Sequence, residues 1–185
     1  MSWITTIDEN ESSGELKEIY EELKKKRGKV SNIMKVQSLN PSAMKEHMNL
    51  YVTLMFQKSG LNREEREMIA VVVSKTNECE YCINHHSEAL NHYWKDSEKI
   101  RKLTQKPDSL ELPEKTHRML EYAVKLTNNP KGINEADIAV LRESGFSDED
   151  ILNINLVVSY FNFVNRIALG LGVKFTPEEM RGYKA

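Results

Sequence analysis

Both cysteines of this chain fall in one short run, "NECEYCINHH", which also carries two of its five histidines. Thiols three residues apart can be oxidised to a disulfide, can offer two ligands to a metal, or can serve as two small apolar core residues. On an α-helix, spacings of three, four and seven share a face, so at about 100° per residue Cys79, Cys82 and His86 lie within roughly 60° of one another. Tyr81 and His85 point away from that stripe. The thiolate is the reactive form, so the chemistry depends on what stabilises it. Cys79, in the first turn of its helix, faces unpaired N–H groups and the positive end of the helix dipole. Cys82 has His86 four residues on, within reach of direct or water-relayed proton exchange. First-turn electrostatics alone makes Cys79 the more acidic thiol.

Glu67 stands twelve residues before Cys79. A tight connection at Asn77 and Glu78 would pack two helices antiparallel and bring Glu67 alongside the cysteine helix. Spacing alone leaves open whether it faces His86, because Glu64, Glu65 and Glu67 could all be solvated helix residues. A zinc site would draw on Cys79, Cys82 and His86, but a fourth ligand and a second cysteine pair are missing, so no metal is expected. Burial of both cysteines as core residues of a non-catalytic helical module stays open, since free cysteine is among the most buried residue types. His47, His92 and His117 sit in polar helical surroundings and read as surface residues.

The elements that position these groups have helical period almost throughout. Leu16, Ile19, Tyr20 and Leu23 recur at three- and four-residue steps within Gly14 to Arg27. Pro41 opens a helix reaching about Lys58, with Met44, Met48, Tyr51, Val52 and Met55 on one face, and Gly60 stops it. Asn62 with Glu65 forms a capping-box start for a helix to about Thr76, which Asn77 ends. The next helix begins near Cys79 and runs to about Trp94. After a polar stretch containing Pro107, "LPEKTHRMLEYAVKLTNN" reads as a helix ended by "NNPKG". Asn134 to Glu143, Ser147 to about Leu171, and a start at Thr176-Pro177-Glu178-Glu179 complete the series. "AVVVSK" has β-branched content but lacks alternation and sits in a helical frame. The fold class is therefore all-α, a helical bundle in a single domain, 1–185.

Leu61 to Ser74 and Phe146 to Ser159 echo each other in cap, early acidic residues and a closing Val-Val-Ser. Two well-capped amphipathic helices can look alike; the sharper expectation is a duplicated helical hairpin. On that alignment Glu67 falls on Leu152 and the cysteines on Val164 and Ile167, so only the first copy would carry the chemistry.

Of the 185 residues, 39% are hydrophobic and 29% charged, with a formal charge of -2, which gives no general pull toward nucleic acid or anionic lipid. Small molecules or copies of the chain are the expected partners. No apolar run reaches the roughly 18 residues a membrane span needs; Ile154 to Val173 is broken by Asn155, Asn162, Asn165 and Arg166. "MSWITTIDENESSG" does not read as a secretory signal, so a reducing cytoplasm is the expected location, and there a purely structural disulfide is rare.

"EREMIAVVVSKTNECEYCINHHSEAL" resembles the alkylhydroperoxidase (AhpD-like) branch of the carboxymuconolactone decarboxylase family, in which a Glu is followed twelve residues later by Cys-x-x-Cys-x-x-x-His. Glu67, Cys79, Cys82 and His86 match position by position. "NPSAMKEHMNLYVTLMF" and "SYFNFVNRIALGLGV" are similar to the longer, peroxidase-related members. The resemblance implies an all-helical homo-oligomer, trimer or hexamer, without cofactor, that reduces a hydroperoxide and is re-reduced by a protein or small-molecule thiol. It implies Cys82 as peroxidatic nucleophile, Cys79 as resolving thiol, and Glu67 with His86 as proton relay. At Tyr81 the best-known peroxidase members have a histidine; a phenol there is a supporting group of ordinarily high pKa, and it leaves general thiol–disulfide exchange open. The family's decarboxylases do not rely on such a dithiol.

Overall fold

The structure is a computed structural model that describes residues 2–105, 110–176 and 179. Among the described residues it is helical without strands: α1 Gly14–Arg27, α2 Asn32–Lys35, α3 Pro41–Phe56, α4 Arg63–Thr76, α5 Glu80–Trp94, α6 Ser97–Gln105, α7 Glu114–Asn128, α8 Glu135–Glu143 and α9 Asp148–Gly170, with a short 3-10 turn at Pro130–Gly132. The chain gathers into two compact units, Met1–Val52 with Arg166–Ala185, and Thr53–Asn165.

In the first unit the apolar face of α1 (Leu16, Ile19, Tyr20, Leu23) packs with Val30, Met34 and Met44, and Ile7, Ile33 and Met48 border that cluster. The Tyr20 hydroxyl donates to the Ile7 carbonyl at 2.9 Å, so the one polar atom of that buried ring is satisfied. His47 is 4% exposed and shares a hydrogen bond with Gln37 across 2.8 Å. It is a core residue, contrary to the surface expectation: position 47 follows Met44 by three and lies on the buried side of α3, and its polar neighbours in sequence point elsewhere. The same rotation exposes Val52, expected on the core face.

In the second unit α4 is the central element. Met68, Ile69, Ala70, Val71, Val72 and Val73 are all buried, so the helix is covered all round by α5, α7 and α6. That explains "AVVVSK": the β-branched run suits a fully enclosed helix, where each buried Val or Ile side chain contributes about 1.5–3 kcal/mol. The capping box expected at Asn62 and Glu65 is formed, with reciprocal bonds of 2.9 and 2.8 Å.

Two further expectations are corrected. The stretch after Trp94 holds a further helix, α6, whose start is fixed by Asp96 accepting from the Lys99 N–H at 3.0 Å; its single turn-and-a-half of apolar residues, Ile100 and Leu103, gives too little periodicity to register. The second half of the echo forms no hairpin, because α9 runs unbroken from Asp148 to Gly170. Only the cap is shared: Ser147 and Asp150 exchange bonds of 3.0 and 3.1 Å as Asn62 and Glu65 do. Met44 and Met55 of α3 and Tyr160 and Phe161 of α9 lie in the chain's own core, while Phe56 and Phe163 are exposed. Pro177 and Glu178 of the expected C-terminal helix start lie outside the described residues. No described helix is long and apolar enough to cross a membrane.

Candidate active site

The site is built on the turn between α4 and α5, within the second unit. The Glu78 N–H donates to the Lys75 carbonyl at 3.0 Å and the Cys79 N–H to the Ser74 carbonyl at 2.9 Å, the paired bonds of a Schellman ending. The position between them must be left-handed, and Glu78 occupies it at φ 55°. This closing turn sets Cys79 at the N-cap of α5 and folds α5 back along α4. At the far end of the pair the Trp94 indole N–H donates to Glu64 at 2.5 Å. Midway between these two anchors, the antiparallel arrangement brings Glu67 to His86.

Glu67 has no exposed surface. Its Oε2 accepts from His86 Nδ1 at 2.7 Å, and its Oε1 pairs with Arg63 Nη2 at 2.5 Å. Burial alone would raise the Glu67 pKa; the Coulomb attraction and hydrogen bond of His86, joined by those of Arg63, outweigh it and hold the carboxyl below its ordinary range. An ionised Glu67 is acceptor only, so His86 Nδ1 is the protonated nitrogen, and Nε2 is left as the one that can take or give a proton. Phe161 meets the imidazole edge-to-face at 4.5 Å between ring centres and helps to fix its plane. Arg63 is itself held by the Met55 carbonyl at 2.9 Å and by the Phe56 ring, 3.9 Å from the guanidinium carbon to the ring centre.

Cys79 and Cys82 are free thiols, each 1% exposed. They are hydrogen bonded to each other. Accepting the hydrogen bond from Cys82 lowers the Cys79 pKa despite burial, helped by the backbone N–H groups of Cys82 and Tyr81 in the first turn. Donating that bond, burial, and the charge at Cys79 push Cys82 well above the ordinary thiol range, while hydrogen bonds from Asn165 and Ser74 pull the other way. The first-turn argument for Cys79 as the more acidic thiol therefore agrees with the resting geometry. Tyr81 is buried off the stripe and stacks on His85, with ring centres 4.7 Å apart. His92 is exposed and His117 is half-buried beside Glu121.

The structure thus pairs Glu67 with His86 and Cys79 with Cys82, and the two pairs share α5, on which His86 follows Cys82 by four residues. Arg63, Ser74, Asn77 and Asn165 were not expected there. The available signal was the set of asparagines in the apolar stretch from Ile154 to Val173: a buried amide in an amphipathic helix needs partners, and those partners mark a polar site. Among the described residues no three His, Cys, Asp or Glu side chains are grouped to hold a metal ion.

Comparison with known proteins was made on sequence and on structure. Residues 41–104 match the model of the carboxymuconolactone decarboxylase family. No curated protein sequence matches the chain. The crystal structure of an uncharacterised peroxidase-related protein from Silicibacter sp. TM1040 is similar at 34% identity over 92% of this chain and 89% of that one, with a TM-score of 0.83. An uncharacterised peroxidase-related protein from Ralstonia eutropha JMP134, described as an alkylhydroperoxidase AhpD core, is similar at 28% identity over 97% and 94%, with a TM-score of 0.87. A protein of unknown function from Agrobacterium tumefaciens, ascribed to antioxidant defence as an AhpD, shares 25% identity over 76% and 94%, with a TM-score of 0.66.

Proposed function

The chain belongs to the AhpD-like branch of the carboxymuconolactone decarboxylase family, and on that footing we propose that it is an enzyme reducing hydroperoxides with the Cys79–Cys82 dithiol. The observation that carries this reading is the buried, hydrogen-bonded thiol pair on the same helix as His86, whose tautomer an ionised Glu67 fixes. The peroxidase-related relatives support the same chemistry.

In the mechanism, His86 Nε2 takes one proton from the thiol pair; the proton that remains moves to Cys79 and the negative charge to Cys82. The Cys82 sulfur attacks the terminal peroxide oxygen; the S–O bond forms as the O–O bond breaks, and the alkoxide leaves as alcohol with a proton supplied through His86. The product is Cys82 sulfenic acid. The Cys79 thiol then displaces water to form the disulfide. Proximity on one helix turn makes this second step intramolecular, which is worth several kcal/mol of barrier. An external dithiol, protein or small molecule, exchanges with the disulfide and restores both thiols. Glu67 orients His86 and balances charge developing on it, as a carboxylate does for a catalytic imidazole. A cytoplasmic setting suits a dithiol that must be re-reduced. We further assign the protein to homo-oligomers, supported by the exposed Leu152, Leu156 and Phe163 along α9.

Tyr81, where the best-known peroxidase members have a histidine, favours a second reading, general thiol–disulfide exchange. One experiment separates the two: turnover with an organic hydroperoxide and, separately, with a small disulfide, each with excess dithiothreitol as reductant, for wild type and Cys82→Ser. Peroxide reduction is expected in wild type and lost in Cys82→Ser. Turnover of the disulfide without the peroxide would overturn the peroxidase assignment in favour of exchange.

A further inference from the structure

The second unit contains an oriented chain of amides that ends at the dithiol. Asn162 Nδ2 donates to Thr127 Oγ1 at 3.0 Å and its Oδ1 accepts from Asn77 Nδ2 at 3.0 Å. Asn77 Nδ2 also donates to Asn165 Oδ1 at 3.0 Å, and Asn165 Nδ2 donates to Ser74 Oγ at 3.1 Å. Each bond fixes which end of the next amide is oxygen and which is nitrogen. Asn77 spends both N–H groups on carbonyl oxygens, so Asn165 must present its oxygen to Asn77 and its NH₂ to Ser74. Ser74 Oγ is then an acceptor for Asn165, and its own O–H is left to donate.

Both end residues are fully enclosed: Ser74 and Asn165 are each 0% exposed. A buried amide on an otherwise apolar helix is retained only where its groups are used. Ser74 is also tied to the first cysteine, since its carbonyl accepts the Cys79 N–H at 2.9 Å. Its side chain and that of Asn165 hydrogen bond to the second cysteine, Cys82. One residue thus anchors the start of α5 through its backbone and reaches the inner sulfur through its hydroxyl.

We propose that Ser74 and Asn165 form a two-donor pocket that receives the negative charge on the Cys82 sulfur, and that this pocket makes Cys82 the attacking thiol of the pair. The inference rests on the dithiol reading above and adds to it what selects between the sulfurs. Once the pair has given up one proton, the remaining Cys82 S–H donates to the Cys79 sulfur. When the proton passes along that hydrogen bond, no proton is gained or lost by the protein; Cys79 becomes the thiol, and the charge left on Cys82 meets an N–H and an O–H already aimed at it. Asn77 and Asn162 are positioning residues that keep the Asn165 amide from turning over.

The test uses the Cys79→Ser protein, in which Cys82 is the only thiol, and follows its alkylation by iodoacetamide across pH, without peroxide. Adding Ser74→Ala or Asn165→Ala is expected to slow alkylation about tenfold near neutral pH, the scale of one hydrogen bond to a charged group. The same variants are expected to reach the limiting rate of the Cys79→Ser parent at high pH, where thiolate forms without help. Profiles that superimpose on that parent would overturn the proposal, as would a deficit that persists unchanged at high pH, which reports altered access. If Asn165→Ala fails to fold by circular dichroism, Ser74→Ala, which removes one oxygen, decides alone. Loss of peroxide turnover in the wild-type assay would remove the peroxidase reading while leaving this alkylation result intact, so the two failures are distinguishable.

Discussion

Replacing Glu67 by Gln separates charge and hydrogen-bond direction from shape. The carboxylate serves two donors, Arg63 at 2.5 Å and His86 at 2.7 Å, with no exposed surface of its own. An amide of the same size has one acceptor and one donor end. If its oxygen stays with Arg63, which can only donate, its NH₂ faces His86 Nδ1, and the imidazole must move its proton to Nε2 to accept. The ring stays in place in the tautomer that cannot serve as base at Nε2. Loss of one positioned acid–base group costs about 10²–10⁴ in rate, so oxidation of the dithiol by an organic hydroperoxide should slow by about that factor. The deficit should shrink as pH rises toward a free thiol's pKa near 8.5. Stability should fall as well. Breaking a buried ion pair costs about 3–5 kcal/mol, and about 3 is expected because Arg63 is 19% exposed and keeps the Met55 carbonyl and the Phe56 ring. The assay is single-turnover thiol loss from about pH 6 to about pH 9, paired with urea unfolding. A Glu67→Gln protein that matched wild type across that range would refute the relay, and the thiol pair would then be activated by the start of α5 alone.

His47 carries a pKa of about 4, lowered by burial from 6.5. Below about 6.5 the unfolded chain takes up a proton that the fold refuses until about 4, so stability is full above that window and falls by about 3 kcal/mol across it; urea titrations should show this loss, and His47→Met should flatten it. Glu78→Gly relieves a left-handed residue at the α4–α5 turn and should stabilise by about 0.5–1 kcal/mol in thermal unfolding, whereas a loss would mean that the Glu78 side chain contributes contacts of its own. Cys79→Ser should give a Cys82 sulfenic acid that dimedone traps after peroxide, and wild type should not; equal trapping in both would deny Cys79 its resolving role. Light scattering at micromolar concentration should report an oligomer, and a monomer would reject that assignment.

Much of this was legible in the sequence because local signals and burial agree. Gly14–Arg27, the Asn62–Glu65 capping box, the Asn77 ending and the start of α5 at Cys79 all follow from periodicity and cap chemistry. The stripe of Cys79, Cys82 and His86 needs only helix geometry. What spacing could not supply was the pairing across helices. Glu67 is one of three neighbouring glutamates, and only the antiparallel closure at Glu78 selects it for His86. Asn165 and Ser74 were hidden for the same reason, since these partners lie 91 positions apart. His47 misled because its neighbours in sequence are polar while its neighbours in space are not. The echo misled in the opposite sense: equal caps start both α4 and α9, but α4 is stopped by the turn at Asn77 and Glu78, and nothing stops α9 until Gly170.

The most direct measurement of the central claim is intact mass and free-thiol content after adding one equivalent of an organic hydroperoxide to the reduced protein. The account predicts loss of both thiols and of two hydrogens in wild type, through a disulfide between Cys79 and Cys82 that dithiothreitol reverses, and no such loss in Cys82→Ser. Two intact thiols in wild type after exposure, or oxidation of Cys82→Ser at the wild-type rate, would contradict it.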